Sequence, residues 1–511
     1  MGIEALLKLK GWRRRGIAVL LGVCAVGALP PFYVLPLLVP AFSGLFLLVH
    51  TAAGKRQAFS DGWWWGLGYF TAGLYWICIS LWVEPATFAW FTPFALFGLP
   101  SILAIYIGLV TLALYGIRIH DTCHVSCVTC FAAIWVLAEY LRSYLFTGFP
   151  WNLIGYVWTV SDATLQFASV AGIYGLSWIT VLAATMPALW VLKKADAMRP
   201  TVLAALLLLA MTGFGIVRLA AHPTQYTSTK VRIVQANVSQ SLKWDPKGAI
   251  EGLRKNIRLT RSLGLDSVNL VLWPETAVPY YVTPHSRLTQ DLGSILPPSA
   301  LLVTGGMRGG STRAEAWNSV FVIDGEGNIK AEYDKHHLVP FGEYIPLRGI
   351  VPVEWIVADM GDFARGPGPQ TLNVAPYPPF SPLVCYEAIF PDEVTDGTHR
   401  AEWLFSLTDD AWFGASTGPL QDVQMARTRA VEQGLPMLRA SNTGVSAVFD
   451  AFGRTIASLP LEKEGVLDLY IPLAEQGQAI IGRYPRSGFL FIIAAGIVFL
   501  SFRLKKPRAF L

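Results

Sequence analysis

Charge is scarce in this chain: only 15% of its 511 residues are Asp, Glu, Lys or Arg, against a hydrophobic content of 53%. That balance excludes an ordinary soluble protein. Cysteine is scarcer still outside the apolar part. Cys24, Cys78, Cys123, Cys127 and Cys130 all lie in the first third, and Cys385 stands alone after them. A disulfide framework in the polar region is therefore excluded, because pairing needs an even number. Histidine ends at His399, so Gly414-Ala415-Ser416-Thr417-Gly418, which matches a serine-hydrolase elbow, lacks the later histidine that chemistry requires. Gly305-Gly306-Met307-Arg308-Gly309-Gly310 lacks Walker spacing and reads as a turn. The pair His336-His337 points its rings in divergent directions on an extended segment, with no Cys/His cluster beside it to complete a zinc site.

What the chain has in abundance is long apolar runs. A membrane span needs about 20 apolar residues, and such runs can be drawn at roughly 16–33, 34–53, 62–82, 92–117, 125–145, 166–192, 201–220 and 488–503. These give a membrane α-helical bundle of eight transmembrane helices. Basic clusters at Lys8 to Arg15, Lys55-Arg56, Arg118, Lys193 to Arg199 and Arg503 to Arg508 all fall on one face of that arrangement. The positive-inside rule makes that face cytoplasmic, with both termini on it, and puts the polar region on the other side. The formal charge of +5 then follows from topology, and nucleic-acid binding is not expected. The basic N-terminal stretch before an apolar run imitates a cleaved signal peptide, but further spans follow directly, so an uncleaved anchor is the reading. Three parts are expected: a seven-span region 1–227, a globular domain 228–475, and a linker, eighth span and basic tail 476–511.

From residue 230 onward, short apolar runs alternate with polar helical stretches. Strands are expected at Val231 to Gln235, Val268 to Trp273, Leu301 to Thr304, Pro382 to Cys385, Trp403 to Leu407, Met437 to Ala440 and Ser446 to Asp450. Asn318 to Ile323 and Ile329 to Tyr333 read as a hairpin. Helices are expected over Lys247 to Leu263, Leu288 to Leu296, near Phe390 to His399, and near Leu420 to Gln433. Two similar halves of this kind argue for a layered α/β sandwich.

The chemistry concentrates in three segments. Cys385, at the end of an apolar strand in Pro382-Leu383-Val384-Cys385-Tyr386-Glu387, is the candidate nucleophile. Glu275 ends the strand-like run Asn269 to Glu275, and Lys335 lies in Tyr333-Asp334-Lys335-His336-His337-Leu338. A free thiol is mostly protonated at neutral pH; a neighbouring cation lowers its pKa and a carboxylate can take its proton. Glu275 is the expected proton acceptor. Lys335, with the backbone N–H of Tyr386, is expected to stabilise the oxyanion formed as the thiolate attacks a carbonyl. Each residue also has a plainer reading: Cys385 as a small core hydrophobe, Glu275 as a turn or capping carboxylate.

Trp273-Pro274-Glu275, Lys335 in Lys335-His336-His337-Leu338-Val339-Pro340-Phe341-Gly342-Glu343-Tyr344, and Cys385-Tyr386-Glu387 together resemble the Glu-Lys-Cys triad of the nitrilase (carbon–nitrogen hydrolase) superfamily. With the multi-span frame, nearly the whole chain resembles the apolipoprotein N-acyltransferase family within it. That resemblance implies an αββα nitrilase-like sandwich set on the helical bundle. It places Glu343 beside the triad, orienting Lys335 and tuning Glu275, and makes Glu387 and Trp244 site-lining residues. It implies a phospholipid acyl donor, phosphatidylethanolamine, and a diacylated apolipoprotein acceptor, acting in a bacterial inner membrane with the catalytic domain periplasmic. No cofactor and no metal are expected, and the chain is expected to act as a monomer. Extracting a 16-carbon chain from lipid would cost on the order of 10 kcal/mol, so an enzyme acting on such molecules gains from a membrane frame. Trp63, Trp64, Trp65, Trp76, Trp82 and Trp90 fit interface anchors or a lipid-entry gap, and Glu139 and Arg142 fit a pair within the fifth span. The competing reading is a membrane-tethered amidase using the same triad on a soluble C–N substrate.

Overall fold

The computed structural model describes residues 9–120, 124–192, 197–243, 246–310, 315–346, 362–477 and 479–483. The eighth span expected at 488–503, Cys123 and Trp244 lie outside the described residues. The chain divides into two units, Met1–Ala221 with Ile480–Leu511, and His222–Ala479.

The first unit is helical. Its longer helices are α1 (Gly11–Val26), α2 (Leu38–His50), α3 (Lys55–Leu74), α4 (Leu99–His120), α5 (His124–Arg142), α6 (Ala168–Thr185) and α7 (Met198–Ala221). Among the described residues, four segments, Pro85–Ile117, Val125–Arg142, Ala168–Val191 and Met198–Ala221, are long and apolar enough to cross a membrane. The first three expected spans fall short of that measure, because α1 and α2 are short and α3 carries Lys55, Arg56 and Asp61 and is diluted by Gln57 and its glycines. One buried charge pair joins α1 to α3. Arg14 donates from Nε to Asp61 Oδ1 at 2.9 Å and from Nη2 to Oδ2 at 2.8 Å, as low-dielectric surroundings demand. Gly62 and Gly66 let α3 lie against α4 so closely that a Cβ would fall 2.6 Å from the Ile107 carbonyl oxygen and 2.9 Å from Ala104 Cα.

Two expectations change here. Glu139 and Arg142 find partners in the irregular segment after α5: Glu139 Oε1 accepts from the Ile154 N–H at 2.9 Å, and Arg142 Nη1 donates to the Trp151 carbonyl at 2.7 Å. That segment leaves N–H and C=O groups unpaired by helix, and a buried charge is the strongest partner for them. Trp65 and Trp76 are core residues, with Trp65 wedged against Phe42 and Trp135; among the six tryptophans, Trp82 and Trp90 are the ones with broad exposure.

The second unit carries twelve strands among the described residues: β1 (Tyr226–Gln235), β2 (Leu270–Leu272), β3 (Val278–Tyr281), β4 (Leu301–Gly309), β5 (Ala316–Ile323), β6 (Ile329–Asp334), β7 (Phe380–Val384), β8 (Trp403–Thr408), β9 (Met437–Ser441), β10 (Ser446–Phe449), β11 (Thr455–Leu459) and β12 (Gly465–Pro472). One sheet runs β12-β1-β2-β4-β5-β6 with β3 beside β4, and the other runs β11-β10-β9-β8-β7. Period-two alternation sorts each strand's side chains between layers. Val231, Ile233, Leu270, Leu272, Val320 and Val322 of the first sheet meet Phe380, Val384, Phe405, Leu407, Leu438 and Val448 of the second in one core. The opposite face of the first sheet, with Val234, Val271 and Phe321, is covered by Leu253 and Ile257 of α8 (Pro246–Thr260) and Leu292 of α9 (Arg287–Gly293). Leu383, Leu404 and Met437 of the second sheet turn outward to Val423, Ala426 and Ala430 of α10 (Thr417–Gln433). The layers are thus helix, sheet, sheet, helix.

The helix expected near Phe390 to His399 is absent from that segment. Cys385–Ile389 forms one 3-10 stretch, and turns follow it, because Pro391 cannot extend a helix and Asp396 caps the Thr398 N–H with its own carboxylate at 2.8 Å. Gly305 to Gly309, expected as a turn, belongs to β4. β3, β11 and β12 were not expected; β11 and β12 are edge strands of different sheets, and β12 carries its alternation in Leu467, Leu469 and Ile471, which pack on the inter-sheet core.

Candidate active site

Three strands release the candidate residues at their C-terminal ends. Glu275 follows β2, Lys335 follows β6, and Cys385 follows β7. Glu275 can approach because β4 has glycine opposite it: a Cβ on Gly305 would lie 2.5 Å from the Thr276 nitrogen and 2.8 Å from Glu275 Cα. Cys385 takes φ +52°, a left-handed conformation in a residue other than glycine. Such strain persists only where surroundings impose it, and it is concentrated at functional sites. Here it turns the chain sharply from strand into the 3-10 stretch.

Lys335 is 1% exposed. Its Nζ donates to Glu343 Oε1 at 2.9 Å and lies 3.7 Å from Glu275 Oε1. Glu275 Oε1 accepts from Asn318 Nδ2 at 2.8 Å, and its Oε2 accepts from the Asp409 N–H at 2.9 Å. Burial raises the Glu275 carboxyl above its ordinary range; Lys335 opposes that, while Glu343 and Asp409 add to it. Burial alone would lower the Lys335 ammonium, but Glu343 and Glu275 outweigh it and hold the group charged.

The thiol departs from the expectation that a neighbouring cation lowers it. Burial pushes Cys385 well above the ordinary thiol value, and Glu275 adds to the rise against the opposing pull of Lys335. Asp422 adds a further anion, so burial and the two carboxylates outweigh the one ammonium and favour the neutral thiol.

Glu387 is fully buried behind the nucleophile. Its Oε2 accepts from the Val384 N–H at 2.7 Å, while Oε1 accepts from Tyr333 Oη at 2.8 Å and from the His336 N–H at 2.7 Å. One carboxylate thereby ties the residue before Cys385 to the residue after Lys335. Burial would raise Glu387, but the His336 contacts and the Val384 N–H bring it below the ordinary range. His336 in turn stands at about 9, because Glu387 and Glu393 overcome the downward push of burial. The two histidines do not diverge: His336 Nε2 and His337 Nδ1 both reach Glu393 Oε2, at 3.2 and 2.6 Å. The charge of Glu393 draws both rings to it. Tyr386 is buried with its ring 5.6 Å from His337 and 5.0 Å from Phe390. Of the expected site residues, then, Glu275, Lys335 and Glu343 meet directly, Cys385 lies within their electrostatic reach, and Glu387 and Tyr386 flank the turn that carries it.

Two family models match the chain. That of the apolipoprotein N-acyltransferase N-terminal domain covers residues 21–186, and that of carbon-nitrogen hydrolase covers residues 230–480. An apolipoprotein N-acyltransferase of Rhodopseudomonas palustris is 37% identical over 97% of this chain and 96% of its own length. Proteins of the same name from Bradyrhizobium diazoefficiens and Rickettsia prowazekii are 38% and 35% identical, covering 91% and 90% of this chain and 90% and 92% of theirs. This chain belongs to the apolipoprotein N-acyltransferase family. Its polar unit has the carbon-nitrogen hydrolase fold. A solved structure of an amidase from Nesterenkonia sp. is 20% identical, covering 48% of this chain and 92% of that one with a TM-score of 0.35.

Around this member's site stand residues that motif reading passed over. Asn318 donates to both Glu275 and Glu343, at 2.8 and 2.9 Å. Lys243 pairs with Asp409 Oδ2 at 2.6 Å and also donates to the Glu275 carbonyl at 3.1 Å. Asn442 Nδ2 holds Asp409 Oδ1 at 2.9 Å, so the main chain that feeds Glu275 its second donor is itself fixed. Beneath the second sheet's strand ends, Arg439 is fully buried and donates to Asp410 Oδ2 at 2.8 Å and Asp422 Oδ2 at 2.6 Å. A small, solvent-open recess is lined by Glu275 and Thr276 together with Lys243, Asn256 and Asn442.

Proposed function

We propose that this chain transfers a fatty acyl group through a thioester on Cys385 to the α-amine of the N-terminal S-diacylglyceryl cysteine of an apolipoprotein. In the first half-reaction Glu275 takes the thiol proton as sulfur attacks the ester carbonyl of a phospholipid, taken as phosphatidylethanolamine. Lys335 and the Tyr386 N–H carry the negative charge that develops on oxygen. The C–O bond breaks, Glu275 returns the proton to the leaving oxygen, and a lysophospholipid departs. In the second half-reaction the amine attacks the thioester, Glu275 takes its proton, and as the C–S bond breaks and the amide forms Glu275 passes that proton to the leaving sulfur, restoring the thiol. Because the resting sulfur is protonated, the base acts during attack; a preformed thiolate is not required.

The observation that carries this reading is the convergence of Glu275 with Lys335 and Glu343, from two separate segments, within electrostatic reach of a cysteine on a third that is held at φ +52°. Glu343 serves to orient Lys335, and Glu387 to fix the turn of Cys385. Residues 1–227 and 476–511 form the membrane part with eight spans, and residues 228–475 the catalytic part. The basic clusters put both termini in the cytoplasm and the catalytic part in the periplasm. The protein works as a monomer. A tethered amidase is not favoured, because the full-length relatives share the name of the acyltransferase and the N-terminal family model is its own.

The test is acylation of the purified full-length protein by phospholipid, mapped by mass spectrometry. A hydroxylamine-labile acyl group on Cys385, absent from Cys385→Ala and discharged by a diacylated lipopeptide, is the expected result. Acylation at another residue, or a label that the lipopeptide does not discharge, overturns it.

A further inference from the structure

We infer that Asn318 is a positioning residue for the reaction, setting the proton affinity of Glu275 by holding it and Glu343 on one neutral amide. The inference rests on the assignment of Glu275 as proton acceptor.

Asn318 lies in β5 and is 3% exposed. Its Nδ2 donates to Oε1 of Glu275 at 2.8 Å and to Oε1 of Glu343 at 2.9 Å. The orientation of this amide is fixed by charge: turning it over would press a carbonyl oxygen against two carboxylate oxygens. The same residue's main-chain carbonyl accepts from the Lys335 N–H at 2.9 Å. Asn318 thus touches all three charged members of the cluster, both anions through its side chain and the cation's backbone through its carbonyl.

The electrostatic situation needs such a group. Glu275 and Glu343 share a single ammonium, 3.7 and 2.9 Å from their Oε1 atoms, and they repel one another. A donor bridging them favours the ionised form of each without adding charge. The Asp409 N–H on the other oxygen of Glu275 acts in the same direction.

A second observation separates this role from packing. Asn318 Oδ1 is buried with no hydrogen-bond partner. An unmade hydrogen bond of this kind is a penalty, and an apolar side chain would be free of it. Val320 and Val322, on the same face of β5, show what the inter-sheet layer otherwise takes. A residue kept at that cost fits a demand from the site.

The experiment measures the rate of Cys385 acylation by phospholipid against pH in full-length wild type, Asn318→Ala and Asn318→Asp. The rate rises with pH as Glu275 ionises. Removing the donor favours the protonated carboxyl, so the acid limb should move to higher pH by about one unit in Asn318→Ala, a tenfold loss of rate below the limb. A third carboxyl in Asn318→Asp should move it at least as far. KM for phospholipid should stay within about twofold, since Asn318 acts through Glu275. A loss of rate with the limb unmoved, or an effect confined to KM, overturns the inference. Failure of both variants to fold overturns it too, because the amide would then be a structural requirement. If wild type itself forms no thioester on Cys385, the failure belongs to the underlying reading and not to Asn318.

Discussion

Replacing Glu387 with glutamine probes how the nucleophile turn is tied to the lysine segment. The carboxylate accepts from four donors, the N–H groups of Val384, His336 and His337 and the hydroxyl of Tyr333. A glutamine keeps one acceptor oxygen and converts the other into a donor, which meets an N–H in either orientation. It also leaves His336 with Glu393 alone. His336 stands at about 9 in the folded chain against an ordinary 6.5. A raised histidine contributes stability that is complete below pH 6.5 and is lost as pH rises through about 9. At 1.36 kcal/mol per unit, that linkage is about 3 kcal/mol, shared between Glu387 and Glu393. Removing one partner of a buried pair costs about 3–5 kcal/mol, so Glu387→Gln should cost about 3 kcal/mol near neutral pH. For a domain of this size that lowers Tm by roughly 6–12 °C. Melting curves of both full-length proteins in detergent, followed from near pH 6 to near pH 10, provide the assay. The gap between them should narrow on the alkaline side, where wild type loses the charge on His336. A variant as stable as wild type, or a gap that stays constant with pH, would refute the reasoning.

Lys335→Met removes the one ammonium between Glu275 and Glu343; thioester formation should slow by about 100- to 1,000-fold, measured as single-turnover acylation, and unchanged rates would contradict the assigned role. Arg439→Met leaves Asp410 and Asp422 buried without their shared cation, and a loss of about 3–5 kcal/mol should appear as a lower Tm. Gly305→Ala drives a methyl group to within 2.5 Å of the Thr276 nitrogen. It should cost about 1–3 kcal/mol and slow acylation more than that stability loss predicts, because the displaced backbone carries Glu275.

Much of the site was legible because its chemistry sits at strand ends that alternation locates. In β6, Ala331 and Tyr333 face the inter-sheet core, and Lys335 continues that parity past the end of the strand. In β7, Phe380 and Val384 do the same just before Cys385. Asn318 shares the parity of Val320 and Val322, so a polar residue on an apolar face was the signal that could have found it. The tether role of Glu387 was not legible, because it depends on a hydrogen bond from residue 336 across 51 positions of sequence. The helix expected near 390–399 is absent because Pro391 cannot extend a helix and Asp396-Gly397 carries turn chemistry.

The sequence by itself determined that the chain is divided between apolar helices and an alternating strand-and-helix region, since composition and periodicity are local properties. It also determined which side chains could serve as base, cation and nucleophile, since those depend on residue type. Only the tertiary structure decided the state of those groups. Burial, with Glu275 and Asp422 outweighing the pull of Lys335, favours the protonated Cys385 thiol, where motif reasoning expected a lowered pKa. Proton affinity follows from the sum of charges brought together in space, and that sum is fixed when β2, β6 and β7 come to the same end of the sandwich.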